Sequence, residues 1–109
     1  MTSDDFFGRS IGAAVHVEDG VLVRELQIVN RKGLHARATA KFVQCVEAFD
    51  AEVTVSRCGE TVGGTSIMGI LTLGAGQGST ITVSVKGPAA TKALAAIATL
   101  VAGRFGEDE

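Results

Sequence analysis

From Leu22 onward, apolar and polar positions alternate with a period that changes from one stretch to the next. Over Leu22–Val29, Leu22, Arg24, Leu26 and Ile28 fall on one side and Val23, Glu25, Gln27 and Val29 on the other. A period of two predicts a strand. Asn30-Arg31-Lys32-Gly33 reads as a turn, because Asn and Gly tolerate the backbone angles that turns require. The period then lengthens: Phe42, Cys45, Val46 and Phe49 recur at steps of three and four, which predicts a helix from Ala36 to Phe49. Strict alternation returns over Ala51–Arg57, and Cys58-Gly59 turns the chain into a partner strand near Glu60–Gly63. Ser66–Leu73 is short and apolar with helical spacing at Ile67, Ile70 and Leu71. Ser66 or Thr65 would cap it and Gly74 would end it. Gly74–Gly78 is a loop, and Ser79–Val85 carries Ile81, Val83 and Val85 on one face of a last strand. Gly87-Pro88 opens a final helix with Pro at its first position, a stripe of Ala90, Leu94, Ile97 and Val101, and a stop at Gly103.

The order β-α-β-β-α-β-α implies an α+β open-faced sandwich, a four-stranded, mostly antiparallel sheet with three helices on one face. Residues 1–21 show no sustained period and read as a mobile extension, although Ala14–Val17 could make a short strand with no evident partner. Residues 22–105 are expected to form the folded domain, and residues 106–109, with acidic Glu107, Asp108 and Glu109, read as a solvated tail. With 109 residues and 46% apolar content the chain suits one domain with its own core. There is no Trp or Tyr, and 14 Gly accompany a single Pro, so small side chains must build core and turns. That composition disfavours an enclosed pocket for a large substrate.

A net charge of −2 gives no basic footprint for nucleic acid. No apolar run is long enough to span a bilayer, and no leader-like segment opens the sequence, so a cytoplasmic protein without membrane insertion is expected. Cys45 and Cys58 make neither a disulfide framework nor, with two His, a familiar metal set; no metal and no cofactor are expected. Cys45 falls on a core stripe and Cys58 in a turn.

The sharpest local feature is Gly33-Leu34-His35-Ala36-Arg37. His35 stands where a helix N-cap belongs, although Ser, Thr, Asp or Asn would cap better. The first amides of a helix lack partners and, with the macrodipole, favour an anion. A phosphoryl group on His35 would lie over the amides of Ala36 and Arg37, and the Arg37 guanidinium could add charge-assisted hydrogen bonds. The segment brings no second carboxylate, metal ligand or base, which suits a carrier better than a hydrolase. A bare His-x-Arg is weak evidence by itself, since a turn histidine can merely solvate a helix end.

The segment from Gly33 to Arg37, followed by Ala40-Lys41-Phe42-Val43, resembles the active-site segment of the HPr family, the histidine-containing phosphocarriers of the phosphoenolpyruvate-dependent phosphotransferase system. Ser66-Ile67-Met68-Gly69-Ile70-Leu71-Thr72-Leu73-Gly74 resembles that family's regulatory-serine helix, about thirty residues further on. The resemblance spans roughly residues 22–103 and implies an HPr-like fold. It further implies that enzyme I donates a phosphoryl group to Nδ1 of His35 and that an enzyme IIA-type domain accepts it, making the protein a phosphoryl-transfer intermediate rather than a free-standing turnover enzyme. Arg37 matches the active-site arginine, and Ser66 the serine that an HPr kinase/phosphorylase modifies in some members. Ile67, Met68, Leu71 and Ala40 are the expected docking residues; Met suits a surface that meets several partners. Sugar-branch members carry Pro after the active-site arginine where this chain has Ala38, so the chain resembles the nitrogen-related NPr branch. A sugar-branch carrier and a regulatory module acting by docking alone are the alternatives; retention of both His35 and Arg37 favours a carrier. A monomer is expected. His16 is read as a solvent-exposed residue of the extension.

Overall fold

The computed structural model describes residues 15–18 and 20–109. Five strands, β1 (His16–Glu18), β2 (Val21–Gln27), β3 (Glu52–Arg57), β4 (Glu60–Gly63) and β5 (Thr80–Lys86), form one sheet in the order β1-β2-β5-β3-β4. Every neighbouring pair is antiparallel. Three helices are described, α1 (Ala36–Glu47), α2 (Ile67–Thr72) and α3 (Ala90–Ala102), and a 3₁₀ turn follows at Arg104–Gly106. The four strands expected from the alternation thus form the antiparallel sheet of an open-faced sandwich. A short edge strand, β1, is added to it. The extension expected over residues 1–21 lies largely outside the described residues; His16–Glu18 within it pair with Val21–Val23 of β2.

The inward positions of the sheet are Leu26, Val53, Val55, Ile81, Val83 and Val85, all buried, while Glu25, Gln27 and Thr54 between them are exposed. Register brings like with like: Leu26 faces Ile81, Val55 faces Val83 and Val53 faces Val85 across the ladders. Cross-strand aliphatic pairs on one face are what stabilise a sheet. The helices close this face with Phe42, Val43 and Val46 of α1, Ile70 of α2, and Ala93, Leu94, Ile97 and Val101 of α3. Cys45 is only half-buried at the margin of the stripe, and burial pushes its thiol pKa up. Cys58 is exposed.

Two boundaries differ from the periodicity. Helix α1 ends at Glu47 rather than Phe49, the amides of Ala48 and Phe49 closing tight turns on Cys45 and Val46. Helix α3 begins at Ala90, so Pro88 does not occupy its first turn. The Ala89 amide bonds to the carbonyl of Asp50 and the Ala90 amide to that of Gly87, a separate turn that delays the helix.

The segment 103–109 differs most from expectation. Arg104, Phe105 and Gly106 all have positive φ, and Phe105 is fully buried. Lys41 of α1 donates to the Phe105 carbonyl at 2.6 Å. The acidic residues beyond it do not run free into solvent: Glu107 reaches Asn30 and His35, and Glu109 pairs with Arg31 at 2.6 Å. A buried aromatic one turn past the helix stop supplies the physical reason, because it folds the chain back over the start of α1.

Candidate functional site

The site begins in the turn between β2 and α1. The Gly33 amide bonds back to the Asn30 carbonyl, and Gly33 has φ +68°, a left-handed angle that favours glycine. Space imposes the same residue: a Cβ on Gly33 would lie 2.5 Å from the Ala75 carbonyl oxygen and 2.7 Å from Gly76 Cα. The Leu34 amide donates to that same Ala75 carbonyl at 2.9 Å. The loop that follows α2 therefore grips the turn directly before His35.

His35 is the N-cap of α1, with extended φ −77° and ψ 179°, and its side chain makes no capping hydrogen bond. Its carbonyl accepts the first helical bond, from Thr39. The opening amides of α1, those of Ala36 and Arg37 among them, have no intrahelical acceptor by the geometry of any helix start. No acidic residue occupies the first turn to occupy that field. The His35 side chain retains 28% of its exposure and borders an open groove lined also by Lys32, Ala36, Arg37, Lys41 and Glu107. The expected trio of His35, Ala36 and Arg37 thus meets at one mouth, lined by the cations Arg31, Lys32, Arg37 and Lys41 and, on the side of the C-terminal segment, by Glu107, Asp108 and Glu109, the last paired with Arg31. A negatively charged ligand fits this combination of free amides and cations.

The carboxylate missing from the local segment is supplied from 72 residues away. Glu107 Oε2 meets His35 Nε2, and Glu107 Oε1 accepts from Asn30 Nδ2 at 3.0 Å. Asn30 is fully buried, and its amide also donates to the Gly33 carbonyl at 2.8 Å. Hydrogen bonds from Asn30 and then from His35, with the nearby charge of Lys32, hold the Glu107 carboxyl below its ordinary pKa. The periodic pattern marked Asn30 only as a turn residue and 106–109 only as a tail. The one available signal was Phe105, a scarce aromatic placed just before Glu107.

The remaining expected residues are Ser66, Ile67, Met68 and Leu71 at the cap and along α2, and Ala40 on α1, against which α2 packs. Ser66 caps α2, its Oγ accepting from the Gly69 amide at 3.0 Å, and the residue is exposed. Ile67 and Met68 are 42% and 72% exposed, Leu71 and Ala40 are half-buried, and Ile70 is fully buried. Among the described residues no group of three His, Cys, Asp or Glu side chains is spaced to hold a metal ion. No helix among them is long and apolar enough to cross a membrane.

Residues 22–103 match the family model described as the HPr component phosphorylation site of the phosphotransferase system. The phosphocarrier protein HPr of Cupriavidus necator is 46% identical over 89 residues, covering 82% of this chain and 100% of that protein. The phosphocarrier protein NPr of Shewanella violacea is 42% identical over 86 residues, covering 79% of this chain and 94% of its own. The crystal structure of HPr from Thermoanaerobacter tengcongensis superposes with a TM-score of 0.77 at 36% identity, covering 80% of this chain and 98% of that one. The antiparallel sheet, the helix-start histidine and these likenesses converge: the chain belongs to the HPr family of phosphocarriers of the phosphotransferase system.

Proposed function

We propose that His35 is the phosphoryl acceptor, charged at Nδ1 by enzyme I and discharged to an enzyme IIA-type domain. The observation that carries this reading is a part-exposed imidazole at an uncapped helix start, facing a groove where Lys32, Arg37 and Lys41 stand near the ring and Arg31 is paired with Glu109. The amides of Ala36 and Arg37 and the Arg37 guanidinium stabilise the transferred anion. Ile67 and Met68 form the docking face together with Leu71 and Ala40, their apolar exposure being the support for that role. Ser66 is the regulatory site for an HPr kinase/phosphorylase. A phosphate there adds about −1.5 to −2 charges beside the apolar face and opposes docking. The protein works as a cytoplasmic monomer.

The nitrogen-related branch is the finer assignment and rests on Ala38, buried in the first turn of α1 where sugar-branch members carry Pro. Relatives named HPr and NPr match at comparable identity, so the acceptor is the deciding observation.

The test incubates the protein and a His35→Ala variant with enzyme I, magnesium and labelled phosphoenolpyruvate. Acid-labile, base-stable label on the wild type alone is expected. Absence of label from a competent enzyme I of the same cell would overturn the carrier role. Labelled protein is then offered to enzyme IIA domains of both branches; faster transfer to the nitrogen-related one is expected, and faster transfer to a sugar-branch domain overturns that assignment.

A further inference from the structure

We propose that Glu107, held by Asn30, is a positioning residue that keeps the proton of neutral His35 on Nε2 and the lone pair on Nδ1. The inference rests on the reading of His35 as phosphoryl acceptor and adds how the ring is prepared for it.

A neutral imidazole has one nitrogen that donates and one that accepts, and an ionised carboxylate only accepts. The nitrogen facing Glu107 is Nε2, so that nitrogen carries the hydrogen. Nδ1 makes no hydrogen bond among the described residues and is left as the nucleophile. The carboxylate cannot turn freely to change this arrangement. Its other oxygen takes a hydrogen bond from Asn30, whose side chain is fully buried and whose second N–H is committed to the Gly33 carbonyl. Behind Glu107, Phe105 is buried in the core and its carbonyl is held by Lys41. Asn30, Glu107 and His35 therefore form a fixed chain of partners from the turn to the reacting ring.

Such a chain has a direct consequence for transfer. The Nδ1 lone pair attacks phosphorus, the N–P bond forms, and the bond from phosphorus to the donor breaks with its electron pair leaving on the donor. No proton has to depart from Nδ1. The Nε2 hydrogen stays, and the ring acquires positive charge that faces the Glu107 carboxylate. Transfer to the acceptor reverses these steps and returns a neutral ring with the same tautomer. Glu107 acts through His35 throughout, as the carboxylate does in a serine-protease triad.

A Gln at position 107 makes the role separable from packing. Both N–H groups of Asn30 are spoken for, so the Gln oxygen must take the Asn30 side and its NH₂ must face His35 Nε2. That arrangement moves the ring proton to Nδ1 and blocks the nucleophile. An Ala leaves the ring free to keep the reactive tautomer part of the time. The near-isosteric Glu107→Gln is thus expected to be the worse variant, the reverse of what a packing role requires.

The experiment uses full-length wild type, Glu107→Gln and Glu107→Ala. Nitrogen-15 NMR of His35 reads the tautomer without any partner, and phosphorylation rates are measured with phosphoramidate and with phosphorylated enzyme I. Expected are an Nε2–H ring in the wild type, a shift toward Nδ1–H in Glu107→Gln, and phosphorylation slowed about tenfold or more in that variant, beyond the loss in Glu107→Ala. An Nε2–H ring in all three proteins, with Gln equal to or faster than Ala, overturns the proposal. The two readings fail separately. A tautomer switch in Glu107→Gln with no label on wild-type His35 supports the contact and removes the acceptor role, whereas equal labelling of wild type and Glu107→Gln removes the positioning role alone.

Discussion

Glu107 and His35 show how two side chains come to share a proton geometry and a stability term. The hydrogen bond from Asn30, and then that from His35, favour the ionised form of Glu107 in the folded chain. A carboxyl depressed on folding stabilises the native state fully above its unfolded value, near 4.5, and that contribution is lost as pH falls through the lower folded value. Urea unfolding of wild type and Glu107→Gln should therefore show a stability gap that is present above about pH 4.5 and narrows as pH falls below it. A gap that persists unchanged into acid would mean that charge on Glu107 contributes nothing to the fold. Gly33 makes a second residue-scale point. Its left-handed φ and the Ala75 carbonyl where a Cβ would stand both tie the loop after α2 to the residue two places before His35.

At the scale of elements, the β3–β4 hairpin carries a local conflict. Arg57 pairs with Glu60, so Cys58 and Gly59 are the central residues of a two-residue turn, with φ 51° and 85°. Such turns ask for Asn-Gly, because a non-glycine side chain at positive φ is strained and Asn relieves the strain. Cys58 is exposed and makes no side-chain hydrogen bond among the described residues, so nothing observed there offsets that strain. Cys58→Asn should raise stability by about 0.5–1 kcal/mol, read as a higher unfolding midpoint in urea. A lower midpoint would show that the cysteine has a packing role the turn geometry does not reveal. Helix α2 is the contrasting case. It has only six residues, and its Ser66 cap and its buried Ile70 hold it to the sheet while Ile67 and Met68 stay uncovered. A helix this short persists through tertiary packing rather than propensity.

Across the whole molecule, the chain closes on itself at the site. Phe105 is fully buried, and the residues after it return to the turn from which α1 starts. Phe105→Ala should cost about 3 kcal/mol through lost burial and the cavity left behind. It should also loosen Glu107 from His35, so its rate of phosphorylation should fall toward that of Glu107→Ala. An unchanged rate at reduced stability would separate the anchor from the positioning contact. The periodic runs of the sequence determined most of the architecture: alternation in β2, β3 and β5 and the three-to-four spacing in α1 and α3 follow from a single apolar face per element. Gly33 to Arg37 likewise placed a histidine at a helix start, since cap, turn and helix lie within a few residues. Boundaries drifted where a distant group completed the local bonding, as the Asp50 carbonyl does ahead of α3. Only the tertiary structure decided that Glu107 and Asn30 flank His35, and that Ile67 and Met68 remain uncovered on α2. Periodicity reports which face of an element is apolar and what its near neighbours allow; it carries nothing about which segments meet after the chain has closed a loop of 72 residues.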